Sequence, residues 1–600
     1  MSSTPLRLSA VDLFKQLPAE DLALLEAHLE PLPVRRGIEL VRQGDAADAL
    51  YVVVSGRFSV EIEGSREPVA EISSGSPIGE IAFFAGGLRT ATVRAIRDSV
   101  VVKLTRRDFD EISARSPAIW RAITAKLAER LATETRKTIR LQNKPLLRPR
   151  PRTLALVRAG ERPIPPLFLA GFEEAARRRP GTLVLTSTTI LDHIPCGSVE
   201  TLDATRIFNE LESQYDTIVF VADETLTPWS EKAIRQADEV LLVGSLGDSP
   251  VGSTVSTNAL EKFLFNLERK PQCRLAIVHG RTAVAQGTRH WLQARSVEMH
   301  HHAALGSSPD IERLWRFIKG EALGFVACGG GAYCAAHIGI YKAFGAQGID
   351  FDCVGGTSGG AAMAAAFAQN VPADEIDARV HRMFIEGKAL ARYTVPRYSL
   401  LDHTHFDKHL AREYGDVRIE DLWKPYFAVS MDLSDYAVEV HRTGLVWEAI
   451  RASASIPALL PPFYTTDGRM LVDGSVVSNV PIDVMHKLKS GPNVVVSFNP
   501  PAGERFAVDY KSLPARRELL LRTMNPFAKR GLPKAPSAAT VLVRSLMSNH
   551  NHFERQLESG DWLLVPPTDA NMGALDWRRH IELVETAYRY ALGEIALRGK

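Results

Sequence analysis

Six hundred residues exceed what one hydrophobic core organises, so several domains are expected. With 45% hydrophobic residues, 24% charged residues and a formal net charge of +2, the composition excludes a disordered chain and gives no sign of a nucleic-acid binder. The cysteines Cys196, Cys273, Cys328, Cys334 and Cys353 lack C-x-x-C spacing, which argues against a zinc site and a disulfide framework and for a reducing cytoplasm.

The start, Met1-Ser2-Ser3-Thr4-Pro5, has no charged-then-apolar leader, and no window approaches the ~20 apolar residues of a bilayer span. Membrane contact is therefore expected to be peripheral. Residues 1–145 open with a helical segment and continue as short alternating strands, such as 49–54 before Ser55-Gly56 and then 58–62, a pattern that predicts a small antiparallel barrel or jelly roll. Gly79-Glu80-Ile81-Ala82 and Arg89-Thr90-Ala91 set a carboxylate and a guanidinium nine residues apart around a Gly-bounded turn. Such a pair serves opposite ends of a small anionic ligand; the plain alternative is a Glu80–Arg89 salt bridge in a barrel that binds nothing.

At these residues the segment resembles the cyclic-nucleotide-binding domain family, whose cassette reads G-E-(L/I)-A and then R-(T/S/A)-A. The resemblance runs over roughly 10–140 and includes Gly44-Asp45 and the strand and turn from Tyr51 to Gly56. It implies a site at Gly79, Glu80, Arg89 and Thr90, with Glu80 on a ribose 2′-hydroxyl, Arg89 on the cyclic phosphate, and cAMP or cGMP as a regulatory ligand. Thr90 does not decide between the two, and Ile78 stands where the family usually has an aromatic residue.

Ile119, Ile123, Leu127 and Leu131 recur at helical spacing and predict a helix over 117–142 that closes over the barrel. Pro145, Pro149 and Pro151 alternate with arginines as a stiff linker. Residues 146–320 alternate strand-like runs (153–157, 182–185, 217–221, 239–243, 275–278) with helix-length segments, which predicts an α/β middle domain on a parallel sheet. It lacks a G-x-x-x-x-G-K-[ST] loop, so no nucleotide chemistry is expected there. His300-His301-His302 has no carboxylate or cysteine partner at ligand spacing, so a structural or surface role is expected and no metal.

Two strand-to-helix turns follow. The apolar run 323–327 leads into Gly329-Gly330-Gly331, and 351–354 leads into Gly356-Thr357-Ser358-Gly359-Gly360. The second fits G-x-S-x-G, with Gly356 and Gly360 forming the elbow that exposes Ser358; the first offers N–H groups of Gly329, Gly330 and Gly331 to an oxyanion. A dinucleotide fingerprint at the first turn is broken by Cys334. For the base, His486 downstream of Asp473 fits the chain order Ser, Asp, His. Asp473 in Leu471-Val472-Asp473-Gly474-Ser475 acts directly if burial raises its pKa; alone, Asp-Gly reads as a tight turn.

These residues resemble patatin-like phospholipases of the neuropathy target esterase branch, which share a Gly-rich oxyanion loop, G-T-S-x-G and D-G-(G/A). Further branch-like stretches are Asp223 to Trp229, Arg235-Gln236-Ala237-Asp238, Ala336-His337-Ile338-Gly339, Arg451-Ala452-Ser453, Leu460-Pro461-Pro462 and Asn479-Val480-Pro481, so the match runs from about residue 150 onward. The resemblance implies a Ser358/Asp473 dyad without histidine, an acyl-enzyme intermediate, hydrolysis of phospholipid or lysophospholipid esters, and no required cofactor. The departures are Tyr333 and Cys334 where the branch usually has an arginine and then a glycine, Ser475 in the Asp-Gly motif, and the missing N-terminal transmembrane helix. The first two motivate a competing expectation: a catalytically weak or inactive cyclic-nucleotide sensor or lipid-binding scaffold. The basic, partly apolar stretch 504–544 suits docking on anionic lipid or an ordinary solvated face, and 561–600 reads as a packing strand and an amphipathic helix through Ile581, Val584 and Tyr588. The expected architecture is multidomain: an N-terminal β-barrel/jelly roll with helices at 1–145, an α/β middle domain at 146–320, and a patatin-like α/β hydrolase domain with a C-terminal extension at 321–600.

Overall fold

A computed structural model describes residues 18–26, 28–65, 68–116, 151–194, 198–245, 254–280, 285–498, 508–519, 535–536, 541, 545, 553–568 and 572–598. The expected helix over 117–142, the 145/146 boundary and most of the basic stretch 504–544 lie outside them. The chain divides into two compact units, Met1–Arg281 with Arg289–Glu312 and Thr282–Thr288 with Arg313–Lys600.

In the first unit, two four-stranded antiparallel sheets form the jelly roll. One runs in the order Glu30–Val34, Ser99–Thr105, Ala49–Ser55, Pro77–Ile78; the other in the order Glu39–Val41, Thr92–Ala95, Arg57–Glu61, Ala70–Ser73. Strand Ala49–Ser55 is apolar from Ala49 to Val54 because both its faces are covered. Ala49, Tyr51 and Val53 point inward with Phe58 and Ile78, whereas Leu50 and Val52 sit with Phe83 and Phe109 of the helices Glu80–Ala85 and Arg106–Arg115. The same unit holds a six-stranded parallel sheet in the order Thr182–Leu185, Thr217–Val221, Thr153–Arg158, Glu239–Ser245, Gln272–His279, Met299–Ala304. The last strand carries the three histidines. His301 and His302 are buried, and His302 Nδ1 lies 2.7 Å from His279 Nε2. Among the described residues no cluster of histidine, cysteine and carboxylate side chains suits a metal.

Barrel and parallel sheet meet through buried charges. Arg97 reaches Glu212 and Asp238, while its neighbour Asp98 accepts from Lys232 Nζ at 3.0 Å and Arg235 Nε at 2.9 Å. Arg36 donates to the carbonyls of Arg269 and Ala237, both at 2.7 Å.

The second unit is built on an eight-stranded sheet in the order Phe463–Tyr464, Met470–Asp473, Tyr426–Asp432, Cys353–Thr357, Gly324–Ala327, Asn493–Val496, Trp562–Leu564, with Ala437–His441 also pairing Tyr426–Asp432. From Tyr426–Asp432 through Trp562–Leu564 the strands are parallel, and helices Ala336–Ala346 and Gly359–Ala368 follow the two central ones. The terminal helix His580–Arg598 buries His580, Leu583, Ala587 and Ala591, while Ile581 of the expected apolar stripe is 62% exposed. Close approach sets this phase. A Cβ on Gly339 would lie 2.8 Å from Tyr588 N and nearer still to the Val584 carbonyl, so the backbone of the terminal helix lies directly against this glycine. Among the described residues no helix is long and apolar enough to cross a membrane.

Gly339→Ala is therefore expected to force the two helices apart and to cost about 1–3 kcal/mol, read as a lower urea midpoint. An unchanged midpoint would remove the packing argument.

Candidate active site

Strand Cys353–Thr357 ends at Ser358, and helix Gly359–Ala368 begins at once. The sharp reversal places Ser358 at φ 55°, ψ −128°, a conformation that costs a non-glycine residue about 1–3 kcal/mol and survives only where neighbours enforce it. Those neighbours are visible. Ser358 N–H donates to Ser453 Oγ at 2.8 Å, and Ser453 Oγ–H donates to the Val429 carbonyl at 2.5 Å. The two elbow glycines are required by contact: a Cβ on Gly356 would stand 2.5 Å from the Ala327 carbonyl oxygen, and one on Gly360 would strike the carbonyls of Ala327 and Cys328.

Ser358 Oγ donates to Asp473 Oδ2 at 2.6 Å, and both residues are buried. Asp473 Oδ1 accepts the Ser475 N–H at 2.8 Å. Burial lifts the Asp473 carboxyl from 3.8 to about 6, against the hydrogen bonds from Ser358 and Ser475 that pull it down. His486 is elsewhere engaged: its Nε2 stands 2.9 Å from Asp561 Oδ2, so the Ser, Asp, His chain order does not correspond to a triad here.

The glycine loop separates into two parts. Gly329 N–H, expected to face an oxyanion, donates instead to Asn479 Oδ1 at 3.1 Å, so it is withdrawn from the set of donors. The N–H groups of Gly330, Gly331 and Gly359 make no hydrogen bond among the described residues. Asn479 Oδ1 also accepts from Ser475 Oγ at 2.8 Å, which couples the glycine loop to the turn after Asp473. Ser453 and Asn479 occur in stretches whose likeness to the branch was noted, but nothing in the sequence assigned them a task. Tyr333 donates its hydroxyl proton to the Met572 carbonyl and packs on Phe498, so it supplies no oxyanion donor. Cys334 lies beside Gly359, and burial pushes its thiol well above the ordinary range, leaving it neutral.

Beside Ser358 opens a narrow cavity of about 80 Å³, lined chiefly by apolar side chains that include Met363, Met383, Phe406, Leu410, Leu460 and Trp577. Arg379, also on its wall, is 3.5 Å from Glu413.

In the jelly roll, Gly79 precedes helix Glu80–Ala85 at φ 77°, and Glu80 and Arg89 are both buried while Thr90 is exposed. Arg89 Nη1 donates to the Gly79 carbonyl at 3.0 Å and Nη2 to the Ala49 carbonyl at 2.5 Å, with Asp48 at 3.9 Å.

A parallel-centred sheet whose middle strand delivers a strained serine to a buried carboxylate is the arrangement of an α/β serine-hydrolase domain. Residues 325–486 match the family model of patatin-like phospholipases, 31–116 that of the cyclic nucleotide-binding domain, and 171–320 that of the neuropathy target esterase family P-loop like domain. The chain thus carries three segments of the kinds that those models describe. Similar proteins include patatin-like phospholipase domain-containing protein 7 of Rattus norvegicus, 29% identical over 94% of this chain and 45% of that one. Neuropathy target esterase sws of Drosophila melanogaster is 31% identical over 75% of this chain and 34% of its own, and lysophospholipase nte1 of Aspergillus fumigatus is 26% identical over 94% and 41%. The chain spans less than half the length of these relatives.

Keeping Asp473 ionised has a thermodynamic consequence. Its folded pKa of about 6 exceeds the ordinary 3.8, so the fold loses stability as pH rises through that window and stays weakened above it, by roughly 3 kcal/mol. Asp473→Asn keeps the shape without the charge. It is expected to denature at higher urea than the parent at about pH 8, with the gap closing toward about pH 4; a gap independent of pH would contradict the assignment.

Proposed function

We propose that the second unit is a serine esterase that hydrolyses phospholipid or lysophospholipid acyl esters through Ser358 and Asp473. The observation that carries this reading is the 2.6 Å contact between Ser358 Oγ and a fully buried carboxylate whose pKa lies near 6. Above that pH the carboxylate accepts the Ser358 proton as Oγ attacks the ester carbonyl, and the developing oxyanion is held by the N–H groups of Gly330 and Gly331, with Gly359 at the helix N-terminus. Collapse of the tetrahedral intermediate breaks the ester C–O bond, and Asp473 returns the proton to the departing alcohol. Water, deprotonated by Asp473, then attacks the acyl-enzyme carbonyl; as the Ser358 Oγ–C bond breaks, Asp473 returns the proton to Oγ and a fatty acid is released. The apolar lining of the cavity beside Ser358 suits the hydrocarbon part of an acyl ester. The buried Ser–Asp contact favours this over an inactive scaffold. The reaction is read as proceeding at a cytoplasmic lipid surface without a cofactor.

With a soluble p-nitrophenyl ester, Ser358→Ala is expected to lower kcat by about 10⁴-fold or more and Asp473→Asn by about 10²–10⁴-fold. The parent's rate should fall below about pH 6, as the carboxylate gains its proton. His486→Ala should leave turnover intact; if it were as damaging as Asp473→Asn, the dyad would be wrong.

The jelly roll is read as a cyclic-nucleotide sensor regulating that unit, with Glu80 on the ribose and Arg89 on the phosphate. In support, the Arg89 guanidinium is already buried at the cassette and held by backbone carbonyls that a phosphate can outcompete. Calorimetric titration with cAMP and cGMP is expected to give binding that Arg89→Gln weakens by about thirtyfold or more, since one partner of a buried charge pair is worth at least about 2 kcal/mol. Binding indifferent to Arg89, or none, refutes the sensor.

A further inference from the structure

Residues 388–401 connect two elements that line the cavity beside Ser358: the π-helical turn His381–Glu386, which contributes Met383 and Phe384, and helix Thr404–Tyr414, which contributes Phe406 and Leu410. Residues 391–398 are all exposed, and Tyr393, Val395 and Tyr398 stand 84%, 81% and 75% in water. Such exposure on an ordered segment is unusual, and the segment is ordered. Thr394 N–H donates to the Leu400 carbonyl at 3.0 Å and Asp402 N–H to the Arg392 carbonyl at 2.8 Å, making a hairpin-like finger that turns tightly at Pro396, where Arg397 N–H meets the Val395 carbonyl at 2.7 Å. Its base is pinned by Leu400 and Leu401 N–H on the carbonyls of Ala458 and Leu459, a stretch flanked by the cavity residues Ile456 and Leu460.

The charge on this finger is of one sign. Lys388, Arg392 and Arg397 lie between Gly387 and Leu401 with no aspartate or glutamate among them, in a chain whose net charge is only +2. Tyrosine is suited to a membrane–water boundary, where its ring meets acyl chains and its hydroxyl meets headgroups, and basic residues beside it find anionic phosphates. A hydrophobic protein partner would not require the cations.

We propose that the finger 391–398 docks on the surface of an anionic phospholipid bilayer and so brings the mouth of the Ser358 cavity to the lipid. This rests on the esterase reading for its purpose, but not for its test. The full chain is floated with vesicles of phosphatidylcholine alone and with vesicles containing phosphatidylserine. The parent is expected to float with the anionic vesicles. Tyr393→Ser with Tyr398→Ser should remove it from them, and Arg392→Gln with Arg397→Gln should weaken binding by about thirtyfold, since each basic residue contributes about fivefold at such a surface. All of these proteins should hydrolyse the soluble ester at the parental rate. A parent that does not float, or double variants that float like it, overturns the proposal. A chain that floats through this finger but hydrolyses no ester would instead refute the esterase and leave the docking surface standing.

Discussion

The second unit depends on one hydrogen bond between side chains 115 positions apart, from Ser358 Oγ to Asp473 Oδ2. Strand register explains how it forms. Thr357 pairs with Val429, and on the other side of that same strand Ser430 pairs with Asp473. Ser358, one residue beyond Thr357, is therefore level with Asp473 across an intervening strand. Gly474 closes the remaining gap, because a Cβ there would strike the Val429 carbonyl and hold the turn away. A one-residue slip of Met470–Asp473 would turn the carboxylate to the other face of the sheet.

Holding that contact makes demands on everything around it. Ser358 must stay in a strained conformation and Asp473 must stay ionised without water, each a cost of a few kcal/mol. Ser453 and Asn479 meet these demands from opposite sides. Ser453 fixes the backbone of the serine, and Asn479 ties Ser475, hence the carboxylate's turn, to Gly329. The price is Gly329 as an oxyanion donor, so in the proposed reaction that stabilisation is assigned to the N–H groups that follow it. The departures at Tyr333 and Cys334 remove a guanidinium without adding another charge, since one side chain is a hydrogen-bonded phenol and the other a neutral buried thiol.

Local stereochemistry made much of this legible beforehand. G-x-S-x-G could be read from Gly356 to Gly360 because the glycines are needed by contacts a few residues away, and the parallel sheet of the first unit was visible in its apolar runs. Asp473 was harder, since Asp-Gly by itself describes any tight turn. Ser453 and Asn479 carried no signal of their task, because it arises from strand order and not from spacing. The strand Met299–Ala304 went unread because three histidines carry neither the β-branched nor the alternating apolar signal of a strand. Of the stripe expected on the terminal helix, Val584 and Tyr588 do meet Gly339, whereas Ile581 is exposed, because the contact there is made by closely approaching backbones and not by large side chains.

A different logic governs the first unit. The barrel presents Arg97 followed by Asp98, and the parallel-sheet part answers with the reverse, Glu212 and Asp238 for the cation and Lys232 and Arg235 for the anion. Buried ion pairs give little net stability compared with apolar packing, because desolvation offsets their attraction. Removing one partner, however, leaves a stranded charge, and shifting the register by one residue would set like charges together. The arrangement therefore specifies a single docked position more than it strengthens it. Arg97 and Asp98 immediately precede strand Ser99–Thr105, which pairs with Ala49–Ser55, the strand whose Ala49 carbonyl holds Arg89. The cassette and the charge-matched seam thus share one sheet.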